Sequence, residues 1–330
     1  MQLVECVPNV SEGQNKNKIR MLRDAIMNSP GISLLHVDSN CDANRTVFTF
    51  AGNMQDVSDA AFALFTRVRA LVNMRVQHGE HVRNGALDVC PFIPISDIQT
   101  TECIRAAHAL AERIGRLGVP VYLYGMAATS PSRHSLSAIR KGQYEGLRTK
   151  ISQPAWYPDY GPSEWTEAAA QSGSVQIGVR PFLIAFNINL NTQNVDIAKT
   201  IARTIRESGF RGTPGEFKCV KADGWRMAAY DCAQVTMNFT DFSTTPVHMV
   251  FDRVRILARQ LNTDVAGSEL IGLIPLDAIR AAGSHYANGT AGLDDTELIR
   301  LAIDNLGLNA ISPFIPNERI FEYRLKAVQK

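Results

Sequence analysis

The stretch His78-Gly79-Glu80-His81-Val82-Arg83-Asn84-Gly85-Ala86-Leu87-Asp88 gathers two histidines, two glycines, a glutamate, an arginine and an aspartate within eleven residues. Imidazole passes easily between proton acceptor and donor near neutral pH, and glycine lets backbone approach a ligand closely. The chemistry that suits this set is proton transfer at a bound substrate. One histidine would be the general base, with a carboxylate such as Asp38, Glu80 or Asp88 orienting its ring. Arg45, Arg75 or Arg83 could hold a substrate carboxylate in a two-point grip. The rival chemistry is that of a metal-dependent amidohydrolase using His78, Glu80, His81 and Asp88, since imidazole and carboxylate are the usual zinc ligands. Gly79 and Gly85 argue for a loop rather than a helix, and spacing pins no further ligand, which weighs against the metal.

The rest of the chain must position that loop. Its 330 residues suggest two domains of ordinary size, and 45% hydrophobic residues are ample for burial. Lysine and arginine number 34 against 32 aspartates and glutamates, so no bulk charge points to nucleic acid or a membrane surface, and the partners are expected to be small molecules. The opening residues Met1 to Cys6 lack a basic segment followed by an apolar run, and a cytoplasmic location is expected. Cys6, Cys41, Cys90, Cys103, Cys219 and Cys232 are scattered without metal-ligand spacing, so reduced thiols are expected.

Gln2 to Pro8 reads as a strand ending in a turn at 9–13. A helix over 16–28 carries Ile19, Leu22 and Ile26 on one face. Strands over 32–38 and 45–51 follow, then a helix over 57–74 and, past the histidine loop, a strand over 86–95. The second half repeats this order: a strand at 182–190, a helix from Thr192, strands at 217–222 and 229–239 around a turn at Asp223-Gly224, a helix opened by Thr245-Pro246, and a closing strand at 270–276. Each half is thus a split βαβ unit with helices on one sheet face. Amides alternate with apolar residues in Asn187 and Asn189, and in Gln234 and Asn238, which makes the other face polar and fit to line a cleft. A helix at 101–117 and a strand at 119–124 extend the first half; the proline- and glycine-rich stretch 154–178, with Trp156, Tyr157, Tyr160 and Trp165, reads as the crossing between domains.

Ordered blocks then carry a family resemblance over nearly the whole chain. They are Val4 to Gly13, Asn44 to Val47, His78 to His81 with Gly85 to Pro94, Val119 to Gly125, Pro158 to Ser163, and Phe182 to Leu190. The sequence resembles glutamate formimidoyltransferase, the transferase half of formiminotransferase-cyclodeaminase. The resemblance ends with the transferase part, near Glu318 to Tyr323, and the cyclodeaminase part is expected to be absent.

That resemblance implies an α+β fold of two ferredoxin-like subdomains, residues 1–178 and 179–330, whose sheets face a central folate crevice. It implies transfer of the formimino group from N-formimino-L-glutamate to tetrahydrofolate as co-substrate, without a metal, by a cytoplasmic homodimer. Its catalytic acid/base falls on His81, and its assisting aspartate, in the loop after the second strand, on Asp38. Folate contacts match Gly161, Pro162 and Ser163, to which Trp165, Asn187, Asn189, Gln234 and Asn238 are added as lining. Arg45, Arg83, Glu80 and Asn9 are assigned to the substrate. Val82 stands where the family commonly has proline, Asn84 replaces an apolar residue, and 164–173 is longer and more acidic than the family's glycine-rich continuation. These departures bear on the donor, formimino or formyl, and keep a folate-binding protein without turnover as an alternative.

Overall fold

A computed structural model describes residues 2–329. The chain divides into two compact α+β units, Met1–Pro181 and Phe182–Lys330.

The first unit opens with β1 (Leu3–Cys6) and β2 (Asn9–Val10). One strand to Pro8 was expected and a turn after it; instead Pro8, which has no N–H for a ladder, splits the strand and pairing resumes at Asn9. Both pieces pair antiparallel with the same two neighbours, β4 (Arg45–Gly52) and β5 (Leu87–Ser96), while β3 (Ser33–Asn40) pairs with β4 on its far side. Helix α1 (Lys16–Met27) is capped by the Asn15 side chain and α2 (Met54–Leu71) by that of Asn53, each satisfying first-turn N–H groups that the helix cannot. Their apolar stripes, Leu22 and Ile26 on α1 and Val57, Ala61, Leu64 and Val68 on α2, are buried with the sheet residues Phe48, Phe50 and Phe92 in one core. Helix α3 (Thr100–Gly115) adds Cys103, Ala107, Leu110 and Ile114 to it.

Beyond β6 (Val121–Gly125) come the short helices α4 (Leu136–Arg140) and α5 (Gln143–Lys150). The stretch read as a structureless crossing at 154–178 is not one. It holds α6 (Glu167–Ser172), built of strong helix formers behind a Thr166 cap, and β7 (Val175–Val179), which lies parallel between β5 and β6 inside the sheet. Its prolines and aromatics are confined to the first half, where Trp156 and Trp165 pack on a small core of Tyr122, Tyr124, Ile139 and Leu147.

The second unit runs β8 (Ile184–Leu190), α7 (Val195–Ile205), β9 (Val220–Met227), β10 (Cys232–Phe239), α8 (Val247–Gln260) and β11 (Val265–Ile271), with sheet order β11-β8-β10-β9, all antiparallel. Helices α9 (Leu276–Tyr286), α10 (Asp295–Leu306), α11 (Pro316–Arg319) and α12 (Phe321–Val328) follow. The expected turn at Asp223-Gly224 is instead mid-strand, and the turn falls at Ala228–Tyr230. Gly224 is there because a Cβ would sit 2.4 Å from the backbone nitrogen of Lys199: α7 crosses the strand too closely for any side chain. Two boundaries also move. Pro246, not Thr245, caps α8, the Thr245 hydroxyl donating instead to Lys218 O at 2.7 Å, and the closing strand ends at Ile271, five residues early. The face of Phe186, Ile188, Val235 and Met237 is buried with α7 and α8. Among the described residues no helix is long and apolar enough to cross a membrane.

Candidate active site

The histidine loop is bound to its neighbours mostly by backbone. Asn44 Nδ2 donates to His78 O at 2.6 Å, Gln77 Nε2 to Asn44 O at 3.1 Å, and the Glu80 N–H to Asp42 O at 3.1 Å. A Cβ on Gly79 would lie 2.4 Å from Ala43 O, so only glycine permits the two loops to touch there. From the other side, Ser11 donates by its N–H to Ala86 O and by its hydroxyl to Gly85 O, both at 2.8 Å. Three of the blocks noted in the sequence, around residues 9–13, 44–47 and 78–88, therefore meet in one place.

Beneath them lies a buried charge cluster. Asp88 is fully enclosed; its Oδ2 accepts from Arg45 Nη1 at 2.8 Å and from Arg140 Nη2 at 2.5 Å, and its Oδ1 from the Asn84 N–H at 2.7 Å. Burial alone would raise the Asp88 carboxyl, but Arg140, Arg45 and the Asn84 N–H hold it below its ordinary 3.8. Burial also pulls Arg45 down to about 10, with Asp88 opposing and Arg140 adding to the fall. Arg45 Nε donates to Asn9 Oδ1 at 3.1 Å, and Asn9 Nδ2 to Val7 O at 2.8 Å. Arg45 and Asn9, assigned to the substrate from the sequence, are thus first of all partners of one another and of Asp88.

His81 sits at the lip, half-buried, with Nδ1 2.7 Å from Val82 O. A carbonyl oxygen can only accept, so Nδ1 carries the proton and the neutral ring has its lone pair on Nε2. The surrounding protein first, then the Arg45 and Arg140 charges, depress its pKa to about 3; the Val82 carbonyl and Asp88 oppose this. The ring is half-buried, and the two guanidinium charges beside it disfavour a third positive charge. At neutral pH His81 is therefore an uncharged base.

Arg83 points away from this cluster: its guanidinium makes a two-point pair with Glu145 of α5, at 2.9 and 2.7 Å, while Nε donates to Gln77 Oε1 at 2.9 Å and Nη2 to Gln77 O at 3.1 Å. Those bonds brace the loop. His78, Glu80 and Val82 are exposed on its rim. Asp38 lies within β3, opposite Val47, rather than in the loop that follows the second strand, and its Oδ2 is 3.9 Å from His36 Nε2. Among the described residues no group of three or more His, Cys, Asp or Glu side chains is placed to hold a metal ion, and Asp88 has both oxygens engaged by protein donors.

The remaining assigned residues lie elsewhere. Gly161 (φ 84°) packs against the Val119 carbonyl, Pro162 and Ser163 are half-buried, and the Trp165 ring lies 5.8 Å from that of Tyr144. In the second unit Asn187, Asn189, Gln234 and Asn238 do share the sheet face away from α7 and α8. There Gln234 Nε2 donates to Asn189 Oδ1 at 2.7 Å and Glu269 Oε2 at 3.0 Å, Trp225 Nε1 donates to Gln234 Oε1 at 2.6 Å, and Tyr230 OH to Glu269 Oε1 at 2.9 Å. Sequence reading missed Trp225, Tyr230 and Glu269, and in the first unit Arg140 and Glu145. The signal available was Asp88 itself: a carboxylate opening an apolar strand needs a cation, and Arg140 is one of the few arginines on a short apolar helix.

A loop-borne neutral imidazole above a buried Arg–Asp–Arg cluster has the chemistry to accept a proton and give it back. Two family models cover almost the whole chain: the N-terminal subdomain of the formiminotransferase domain over residues 3–180, and the formiminotransferase domain over 185–326. The chain is 42% identical to a glutamate formimidoyltransferase of Streptococcus pyogenes serotype M1, over 86% of this chain and 93% of that one. It is 44% identical to a formimidoyltransferase-cyclodeaminase of Gallus gallus and 45% to one of Rattus norvegicus, covering 100% and 98% of itself but only 61% and 60% of them. The chain belongs to the formiminotransferase family.

Proposed function

We propose that this chain is a glutamate formimidoyltransferase that moves the formimino group of N-formimino-L-glutamate to tetrahydrofolate, releasing L-glutamate and 5-formimidoyltetrahydrofolate. The observation that carries this reading is His81: in a chain of this family, an imidazole kept neutral with Nε2 as its lone-pair nitrogen. His81 takes the proton from the folate nitrogen as that nitrogen bonds to the amidine carbon, and returns it to the glutamate nitrogen as the carbon–nitrogen bond to glutamate breaks. Asp38 favours the amidinium form of the donor, making its carbon more electrophilic, and stabilises His81 when it is protonated. Holding both reactants in register supplies the remaining gain.

The split βαβ order of the second unit supports a ferredoxin-like subdomain, and its polar sheet face, with Asn187, Asn189, Gln234 and Asn238, is taken as a wall of the folate crevice. Gly161, Pro162, Ser163 and Trp165 are assigned to folate and Glu80 to the donor on the same reading. Arg45 and Arg83 enter it in a changed role, as the braces of the loop rather than free clamps. We take the enzyme to work in the cytoplasm as a homodimer, without metal.

Purified protein mixed with formiminoglutamate and tetrahydrofolate will release glutamate, and exhaustive chelation will leave the rate unchanged. His81→Ala will lower it by about 10²- to 10⁴-fold. No release by the wild type, or unchanged release by His81→Ala, refutes the reading; folate binding without release would mark a binding protein instead.

A further inference from the structure

We propose that Arg140 is a positioning residue for His81: by sharing Asp88 Oδ2 with Arg45 it anchors the inner end of the histidine loop and leaves one guanidinium charge without a counter-ion beneath the imidazole. The inference deepens the functional reading above and, as far as it concerns turnover, rests on it.

The geometry is that of a buried cluster with unequal charge. Two guanidinium groups, with side chains 7% and 12% exposed, converge on one oxygen of one fully buried carboxylate. The other oxygen takes the Asn84 N–H, so both oxygens of Asp88 are engaged, and its single negative charge cannot neutralise both cations. Arg140 Nε is buried without a hydrogen-bond partner, and so is Asn84 Oδ1. Such groups are costly unless the arrangement serves something else. Asn84 also donates through Nδ2 to Ile139 O at 3.2 Å, so the loop and the last turn of α4 are joined twice, once through Asp88 and once directly.

The charged groups that act most strongly on His81 are Arg45 from β4 and Arg140 from α4, with Asp88 from β5 opposing them; Asp38 of β3, which the functional reading also sets toward the ring, carries the opposite sign and is the same in every variant compared below. Arg140 also acts on Tyr124 of β6, as does Arg180 after β7, which is hydrogen-bonded to that tyrosine. Arg45 alone would form a balanced pair with Asp88. Arg140 is the group that tips the cluster positive. A cation there disfavours imidazolium and keeps the ring neutral, with its lone pair on Nε2. An anionic donor arriving at this lip brings the missing negative charge, so the ring gains affinity for a proton when the substrate is in place. That resolves a difficulty: a base held so far below neutrality would otherwise be a weak one.

The test compares Arg140→Gln, which removes the charge, with Arg140→Lys, which keeps it. The His81 ring titration is followed by NMR on histidine-labelled protein, and the pH dependence of kcat/KM for glutamate release is measured alongside. In wild type the ring is expected to titrate well below the ordinary 6.5. Arg140→Gln is expected to raise that midpoint, and to move the acid limb of kcat/KM to higher pH, by about one unit, while Arg140→Lys leaves both near wild type. A wild-type midpoint at or above 6.5 overturns the inference, as does an unchanged midpoint in Arg140→Gln or a lysine variant that behaves like the glutamine one. If the glutamine variant does not fold, the wild-type and lysine midpoints decide the matter. The NMR readout needs no turnover: midpoints that move as stated in a protein without transferase activity would support the role of Arg140 and refute the proposed function, whereas normal transfer with immobile midpoints would do the reverse.

Discussion

The two units meet the problem of buried polar groups in opposite ways. In the first, Asp88 is held between Arg45 and Arg140 and every member of the cluster is ionised. In the second, Gln234 is equally buried but is satisfied by Asn189 and Trp225, neutral partners, with a single carboxylate, Glu269, at the margin. Charge projects a field onto neighbouring groups and changes their affinity for protons; neutral amides fix donors and acceptors in direction and leave proton affinities alone. On the proposed function, the first kind of floor suits the proton-carrying His81 and the second suits a heterocycle held in one orientation.

The sharpest way to break the contrast is Asp88→Asn. It strands two buried guanidinium groups, and a loss of about 3–5 kcal/mol in denaturant unfolding is expected. A loss under 1 kcal/mol would mean that water already screens the cluster. Gln234→Leu should cost less, about 1–3 kcal/mol, because Asn189 Oδ1 and the Trp225 N–H carry no charge and the one carboxylate it also abandons, Glu269, keeps the Tyr230 hydroxyl as a donor. Acid sharpens the same comparison. The Asp88 carboxyl titrates below its ordinary 3.8 in the folded chain, so its contribution is fully present above that value and is lost as the pH falls through the lower folded one. Gln234, Asn189 and Trp225 have nothing to titrate; of the depressed carboxyls elsewhere in the second unit, Asp264 and Asp295 are exposed and contribute little, and Asp241, held down to about 2 by Ser243 and Thr244, belongs to a turn outside that amide face. With Trp225 as the second unit's one tryptophan and Trp156 and Trp165 both in the first, fluorescence of Trp225→Phe and of the Trp156→Phe/Trp165→Phe double variant reads the units separately. The first unit's signal should be lost at the higher pH. The smallest effect is expected at Glu145→Gln: Glu145 is 61% exposed, so losing its pair with Arg83 should cost under about 1 kcal/mol, although the Arg83 fork remains buried.

Much of this was legible in the chain itself, and what was not has a common cause. Periodicity exposed α1, α2 and α7 because their burial is local; Ser29-Pro30-Gly31 marks the end of α1, whereas α7 stops at Ile205, four residues before Gly209. The histidine loop stood out because its composition is unlike its surroundings. The second half of 154–178 was misread because prolines and aromatics in its first half masked a short Glu-Ala-Ala-Ala helix and a Val-Gln-Ile-Gly-Val strand, both too brief for periodicity to register. Gly224 was taken for a turn because the close passage of α7 that requires it leaves no local trace. Arg140 and Glu145 were missed for the same reason: their partners Asp88 and Arg83 lie 52 and 62 residues away, and a pairing made by the fold leaves no spacing to read.

The bond from His81 Nδ1 to the carbonyl of residue 82 has a consequence for redesign. A main-chain acceptor is indifferent to the side chain that follows it, so the tautomer of the working histidine is insulated from changes at that position. Valine there, 45% exposed, can be exchanged while the orientation of the His81 ring is inherited unaltered. Gly79 has no such latitude, since its neighbour across the gap is backbone and cannot give way. Within four residues the loop thus offers one position for a library to randomise and one to leave untouched.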